Sequence, residues 1–202
     1  NNSLNNNPNV LLDWSAVSSA TAYEYKLGTD PGLSGATVIT VTGSSQVNTS
    51  DLLFGTTYYW QVRAIKTSAP VDSSAWSVIW NFTTVDQLAL ISPANGSINM
   101  TPNELLDWSG ISGITNYDYE WDTVATFNSP LLYYASTGTT SQVNAANLRF
   151  GTTYYWRIRA RHAADTSQRS GARRVATVDK LGWVPPPNEK INMAPNELLD
   201  WS

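Results

Sequence analysis

Residues able to do covalent or metal chemistry are few in this chain of 202 residues. There is no cysteine and a single histidine, His162, so neither a disulfide framework nor a zinc site of cysteines or paired histidines can form. A histidine-activated nucleophile would have to use His162 alone, and we expect this residue to be solvated in a loop. No phosphate loop or acid-dense calcium loop occurs. We therefore expect no catalytic, cofactor-binding or metal-binding residues and no enzymatic activity.

Aromatic side chains are the other candidates for binding, since a flat ring can stack on the face of a sugar. The candidates are Tyr59, Tyr155, Tyr133, Tyr134 and Trp183. The alternative is cross-strand packing on a half-exposed sheet. For Trp183 we favour packing at a junction between modules.

Two further groups of polar residues have simple explanations. Asp13, Asp107 and Asp200 recur because the sequence word around them recurs, and we interpret them as solvated strand positions rather than metal ligands. Glycosylation sequons also occur, but this motif is common by chance in a chain rich in Asn and Thr. The sequons begin at Asn48, Asn81, Asn95 and Asn99.

The charge balance restricts the partners. Twelve basic and 16 acidic side chains give a net charge of −4. This acidic balance argues against nucleic acid and anionic membranes as partners, because both are bound through a basic surface. No apolar run is long enough to cross a bilayer, so we expect no membrane insertion. Charged residues are only 14% of the chain, so Asn, Ser and Thr carry much of its polarity. These residues favour strands and turns, and we expect an extracellular or cell-surface protein.

The sequence repeats itself with a period of about 93 to 96 residues. Leu-Leu-Asp-Trp-Ser begins at Leu11, Leu105 and Leu198, and Phe-Gly-Thr-Thr-Tyr-Tyr-Trp begins at Phe54 and Phe150. This period is too long for a solenoid unit and suits a complete small domain.

The repeats predict the domain organisation. We expect one module at residues 1–86, a second at 87–179 and the start of a third at 180–202. Both ends of the sequence fall inside a unit, so we expect the chain to be part of a longer array.

Alternating apolar residues predict strands. Tyr58, Trp60 and Val62 share one face of a run, and Tyr154, Trp156 and Ile158 repeat the pattern in the second unit. Helical spacing with caps is absent from both units. Short alternating runs separated by turns predict an all-β fold with an antiparallel β-sandwich in each unit.

The residues resemble tandem fibronectin type III modules, which are immunoglobulin-like β-sandwiches. Trp14 and Trp108 match the core Trp of that family's strand B. Leu-x-Phe-Gly-Thr-Thr-Tyr, ending at Tyr58 and Tyr154, is similar to the family's Leu-x-Pro-Gly-x-x-Tyr with Phe in place of Pro. The resemblance implies that both tyrosines form the corner that fixes the turn between strands E and F. The word Tyr-Tyr-Trp-x-Val-Arg-Ala, which begins at Tyr58, is more similar to modules in large secreted proteins of Gram-negative bacteria than to animal fibronectin.

The resemblance also suggests an explanation for a group of arginines in the second unit. They are Arg157, Arg159, Arg161, Arg169, Arg173 and Arg174. Strands C and F are neighbours in the family, so Asp118, Glu120 and Asp122 could face Arg157 and Arg159 across the sheet. We prefer this cross-strand ladder to an anion or acidic-glycan site.

Strand G is expected to differ between the modules. Ser74-Ala75-Trp76-Ser77 resembles the family's Ser-x-Trp-Ser, and Trp76 is expected to stack on Arg63. The second unit has Arg169 and Arg173 where the first has Trp76 and Trp80.

These features favour a non-catalytic, structural or adhesive repeat of an extended array. Pro93 and the prolines at 185–187 stiffen short connections, which makes a stalk, spacer or filament. The expected partners are neighbouring repeats, with other proteins or glycans at a surface. The alternatives are a carbohydrate-binding module of a secreted glycan-degrading enzyme and a receptor ectodomain that binds protein through the loops at 127–129 and 162–170.

Overall fold

The computed structural model describes residues 2–163 and 165–179. Over this range the regular structure consists of β-strands without any helix, which confirms the predicted all-β class. The predicted third module, Trp183 and Asp200 lie outside the described residues.

The first module is built from eight strands in the described chain. They are β1 (Ser3–Asn6), β2 (Leu11–Asp13), β3 (Ala22–Gly28), β4 (Val38–Thr42), β5 (Gln46–Asn48), β6 (Thr57–Lys66), β7 (Asp72–Ser73) and β8 (Trp80–Thr84). One sheet has the order β1-β8-β6-β3-β4, with β7 also paired to β6, and the other pairs β2 with β5.

The second module repeats this arrangement and adds one strand. Its strands are β9 (Leu90–Ser92), β10 (Ser97–Met100), β11 (Leu105–Trp108), β12 (Asn116–Asp122), β13 (Tyr133–Ser136), β14 (Gln142–Asn144), β15 (Thr153–His162), β16 (Asp165–Thr166) and β17 (Arg173–Thr177). The larger sheet has the order β10-β17-β15-β12-β13, with β16 on β15, and the smaller one has the order β14-β11-β9.

The alternation in the sequence sets which face of each strand is buried. In β15, Tyr154, Trp156 and Ile158 point into the core, while the side chains between them are only half-buried. Trp108 on β11 lies against Tyr117 on β12 and is 1% exposed. In the first module Trp14 is only partly buried and packs against the core beside Trp60. The two sheets of each module thus enclose an aromatic core, as the sandwich prediction requires.

The turn before β6 and β15 is fixed by the predicted tyrosine corner. The backbone N–H of Leu53 donates to the Tyr58 hydroxyl at 3.0 Å, and that of Arg149 donates to the Tyr154 hydroxyl at 3.0 Å. Gly55 sits in the same turn at φ +59°, and a Cβ there would lie 2.8 Å from Asp86 Oδ1. The turn therefore needs glycine for its backbone angle and for the close approach of Asp86.

Candidate functional site

The arginines of the second module form the predicted ladder with the acids of β12. Asp118 lies opposite Arg159 and Glu120 lies opposite Arg157 in the strand register. Arg159 Nε donates to Asp118 Oδ2 at 3.0 Å, and Arg161 Nη2 is 2.8 Å from Asp118 Oδ1. The cross-strand prediction is confirmed for Asp118 and Glu120 and is wrong for Asp122, which lies opposite Tyr155.

Glu120 holds two arginines. Arg157 binds its carboxylate, and Arg169 Nε lies 3.0 Å from the same oxygen. The Arg157 guanidinium also lies 3.8 Å from the ring centroid of Phe127, which is buried. The two acids are thus covered by four arginines, which leaves an outer surface with excess positive charge.

Burial of Asp118 by itself would raise the pKa of this carboxyl. Hydrogen bonds from Tyr134, Ser136 and Arg159 and the charge of Arg161 oppose that effect and hold the pKa below its ordinary value. The side chain is therefore a buried carboxylate, ionised and fully paired.

Asp122, the third acid of this strand, is not part of the ladder. It lies opposite Tyr155 in the register and is fully buried. Its carboxylate accepts the N–H of Thr123 at 2.6 Å and that of Ser129 at 2.9 Å, and it also binds the Ser129 hydroxyl. Asp122 therefore fixes the loop after β12, including the residues 127–129 that we considered for protein binding.

The first module has a smaller version of the ladder. Arg63 Nη2 lies 2.6 Å from Glu24 Oε2 across β6 and β3. The Arg63 guanidinium is 4.6 Å from the ring centroid of Trp76, and Lys26 Nζ is 5.1 Å from the same centroid. This confirms the predicted stacking of Trp76 on Arg63.

A pair of serines attaches the segment around Trp76 to the sheet of the first module. A second pair does the same in the second module, and it was not predicted. The N–H of Ala64 donates to Ser74 Oγ at 3.0 Å, and the N–H of Val62 donates to Ser77 Oγ at 3.2 Å. In the second module Ser167 and Ser170 accept from Ala160 and Ile158 in the same way.

The word Ser167-Gln168-Arg169-Ser170 matches Ser74-Ala75-Trp76-Ser77 at both serines. Comparison of the serines alone would have found this match.

Arg173 occupies the position in the last strand of the second module that Trp80 occupies in the last strand of the first. Trp80 pairs with Trp60 in the register, and Arg173 pairs with Trp156. The Arg173 guanidinium donates to the carbonyls of Ile91 at 2.9 Å and Pro93 at 2.5 Å, and it also binds that of Leu90. Arg173 thus holds the first strand of its module, while Trp80 packs edge-on against Trp60 with ring centroids 5.9 Å apart.

The aromatic residues considered for sugar stacking differ in their exposure and in their contacts. Tyr133 is 44% exposed and stacks on Trp121, with ring centroids 4.1 Å apart. Tyr134 is also exposed, and its hydroxyl faces Arg159. Tyr59 and Tyr155 are half-buried. Tyr133, with Trp121 and Arg149, lines a hollow of about 220 Å³.

His162 is buried, so the expectation that it is solvated in a loop is wrong. It is the last residue of β15 and is 4% exposed. Its Nε2 lies 3.8 Å from Asp51 Oδ1 of the first module. His162 continues the buried face of β15 that holds Trp156, Ile158 and Ala160, so the alternation of this strand extends one step further than expected.

The two modules meet through loops at their facing ends. The N–H of Phe54 donates to Asp165 Oδ2 at 2.6 Å, and the N–H of Gln168 donates to the Asp86 carbonyl at 3.1 Å. On the other side of the junction, Asn7 Nδ2 donates to Ser112 Oγ at 3.2 Å. Much of the loop at 162–170 is therefore engaged by the first module.

Phe54 is the apolar centre of this junction. It is 8% exposed and, with Val85 and Leu88, belongs to the buried cluster that contains the core of the second module. Phe150 occupies the corresponding place in the repeated word but is 68% exposed. The repeated word does not predict this difference, because both residues stand in place of the same proline.

Residues 2–163 and 165–179 contain no cluster of three or more His, Asp or Glu side chains placed to hold a metal ion. The same residues include no helix with the length and apolar character needed to cross a membrane.

The strand order, the paired sheets and the tyrosine corners define the class of the fold, which is two fibronectin type III-like β-sandwiches in tandem. Solved structures similar to the chain include the FN1–FN3 domains of chicken CNTN1, with 13% identity and a TM-score of 0.36. That match covers 88% of this chain and 65% of the chicken chain, so the chain spans less than two thirds of it.

A two-domain fibronectin type III segment from chicken tenascin is similar with 14% identity and a TM-score of 0.41, covering 86% of this chain and 94% of that one. No protein-family model and no curated protein matches the chain.

Proposed function

We propose that the chain is a non-catalytic spacer from an extended extracellular or cell-surface array, in which each module holds its neighbour in a fixed orientation. The observation that supports this most strongly is the junction around Phe54. There an apolar side chain of one module is buried with the core of the next, between hydrogen bonds at Asp165 and Asp86.

The character of the junction explains how such a spacer would work. Modules joined by a loose linker rotate independently, whereas a buried aromatic ring flanked by directional hydrogen bonds resists both rotation and bending. A stalk needs this property, because it must keep whatever it carries at a distance from a surface.

Small-angle X-ray scattering of the full chain tests the proposal. We expect one elongated shape, and we expect Phe54→Ser to broaden the distribution of distances between the modules. Phe150→Ser is the matched control, because Phe150 is exposed and should leave the scattering unchanged. A wild-type chain that is compact, or that behaves as two freely jointed bodies, would contradict the proposal.

A carbohydrate-binding module is the second candidate, favoured by the exposed Tyr133 ring stacked on Trp121 beside Arg149. Binding on a glycan array that is lost in Tyr133→Ala and kept in Tyr59→Ala would support it. Absence of binding to any glycan on the array would remove it.

A further inference from the structure

The edge strand β4 of the first module has an open side. In the described part of the chain it pairs only with β3, and the register of that pair runs without a shift. The five residues Val38–Thr42 are neutral and β-branched, and none is proline. Edge strands are commonly blocked by charges, proline or a bulge, so β4 lacks these protections. It lies in the middle of the first module's sequence, where neither end of the chain continues from it.

Apolar side chains on β4 are also uncovered. Ile39 is 44% exposed and Val38 is 43% exposed. Ile39 lies opposite the buried Tyr25 in the register, so it stands on the core-facing side of the sheet without being covered there. Exposed β-branched side chains beside unpaired backbone groups favour the addition of a further strand.

The corresponding edge of the second module, β13, is different. Tyr134, which occupies the place of Val38, receives a hydrogen bond from Arg159 at its hydroxyl. Arg161 Nη2 donates to Ser136 Oγ of the same strand at 3.4 Å. Arginine side chains thus reach the edge at β13, and two copies that paired there would bring like charges together. The first module has the edge that is suited to pairing with itself.

We propose that β4 is a docking site for β4 of a second copy of this chain, paired antiparallel about a twofold axis at Thr40. Val38 then faces Thr42 of the second copy, and the exposed Ile39 is covered by Val41 of the second copy. All five residues are paired in this register, whereas a shift by two leaves only three pairs. A shift by one would place core-facing residues opposite outward residues, which the alternation of the strand disfavours.

The charges nearest to β4 allow this pairing. Glu24, opposite Thr40 in the register of β3 with β4, is already paired with Arg63 at 2.6 Å. Lys26 is the other charged residue of β3. In the dimer the two β3 strands would be three strand spacings apart, about 14 Å. This distance exceeds the Debye length of about 8 Å at physiological salt, so like charges on the two copies are screened from each other.

Association through β4 stops at two copies. Each copy uses the same strand, so the contact is isologous and no further edge of this kind remains. A contact of five residues is small beside a stable interface, and we expect a weak dimer. The pairing places two chains side by side, whereas the junction at Phe54 joins modules within one chain, so the two contacts are independent.

Disulfide trapping tests the register, and the chain has no cysteine of its own to interfere. Thr40→Cys places two thiols at the axis, where facing Cβ atoms lie about 5 Å apart and small shifts allow a disulfide. Thr42→Cys is the matched control on the same strand, because residues 42 of the two copies would be about 14 Å apart. Under mild oxidation we expect several-fold more dimer from Thr40→Cys than from Thr42→Cys. A mixture of Val38→Cys and Thr42→Cys should again give a high yield.

Sedimentation velocity at increasing concentration tests the association without a cross-link. We expect a weak dimer of the wild type that is lost in Thr40→Lys, which places two like charges at the axis. This variant should keep its melting temperature, because Thr40 is exposed and lies beside Glu24. Val78→Lys, at a residue 75% exposed, is the control for the added charge and should still associate.

Equal cross-linking from Thr40→Cys and Thr42→Cys would overturn the docking proposal. A wild-type chain that stays monomeric at every concentration, or a dimer that persists in Thr40→Lys, would overturn it as well. Each of these results would leave the spacer proposal standing, because that proposal concerns the junction within a single chain.

Discussion

At the scale of single residues, the repeated sequence words have clear physical meanings. The tyrosine of each Phe-Gly-Thr-Thr-Tyr word accepts a backbone hydrogen bond from five residues upstream, and the acids of β12 meet their arginines across the strands. Both relations could be predicted from the sequence, because they depend on spacing within a module. The burial of His162 follows from the same kind of local spacing, because it continues the alternation of buried residues along β15. The burial of Phe54 could not be predicted, because a neighbouring module causes it and the same word leaves Phe150 exposed.

Removing the hydroxyl of either corner tyrosine should destabilise its module. Tyr58→Phe and Tyr154→Phe leave the N–H of Leu53 or Arg149 without this acceptor, and we expect each to lower the unfolding free energy by about 1 kcal/mol. Urea unfolding measures the change. Tyr59→Phe, at a half-buried position, should have little effect, and equal losses for all three would contradict the corner's role.

Asp118 should make stability depend on acid pH. Since its folded pKa is lowered, its contribution is complete above the unfolded value of about 4 and is lost as the pH falls through the folded pKa. We expect Asp118→Asn to cost about 2 kcal/mol at pH 7 and less at pH 3.

Urea unfolding of wild type and variant at both pH values checks the Asp118 prediction, with the exposed Asp13→Asn as control. A cost that does not change with pH would contradict the assigned pairing.

At the scale of strands, the modules agree in their order and differ at the segment before the last strand. The serine pairs attach this segment to β6 and β15 in both modules, but Trp76 covers Arg63 in one, whereas Arg169 joins Glu120 in the other. The alternation of apolar and polar residues and the turn sequences between the runs were sufficient to predict the sandwich, because a half-buried strand imposes a period of two residues. The serine pairs were harder to recognise, since each serine pairs with the strand through its own N–H and its hydroxyl, and this leaves no apolar period.

The contact between Trp76 and Arg63 should be measurable as a coupling energy. A double-mutant cycle of Trp76→Ala and Arg63→Ala should give about 1 kcal/mol, the range of a partly exposed cation–π pair. Equilibrium unfolding of the wild type, both single variants and the double variant provides the four values. The control cycle of Trp76→Ala with the distant Glu104→Ala should give no coupling energy. A coupling energy in the control cycle would contradict a direct contact between Trp76 and Arg63 as the source of the effect.

At the scale of the whole molecule, the junction makes the stability of the second module depend on the first. Phe54, Val85 and Leu88 are buried with the core that includes Trp108 and Trp156. A repeat in the sequence shows that two residues occupy equivalent positions in their modules. It does not show which of the two residues is covered by an adjoining module. The period of 93 to 96 residues therefore predicted the modules without predicting the contrast between Phe54 and Phe150.

Phe54→Ala should lower the melting temperature of the second module although the residue belongs to the first. The ring leaves a cavity beside Val85 and Leu88, and we expect a loss of about 3 kcal/mol. Differential scanning calorimetry of the full chain measures it. Phe150→Ala, which removes an exposed ring, should change neither transition, and an equal effect of both variants would contradict the assigned junction.

The serine pairs have a consequence for how neighbouring repeats fold. Adjacent modules with nearly the same strands can exchange them while folding, and unpaired strand edges also invite aggregation. Between the short β7 and β8, the N–H groups of Ala64 and Val62 are occupied by Ser74 and Ser77 of the same segment. A foreign strand finds no free row of donors at this part of the sheet, so the hydroxyls protect each repeat from mispairing with the next.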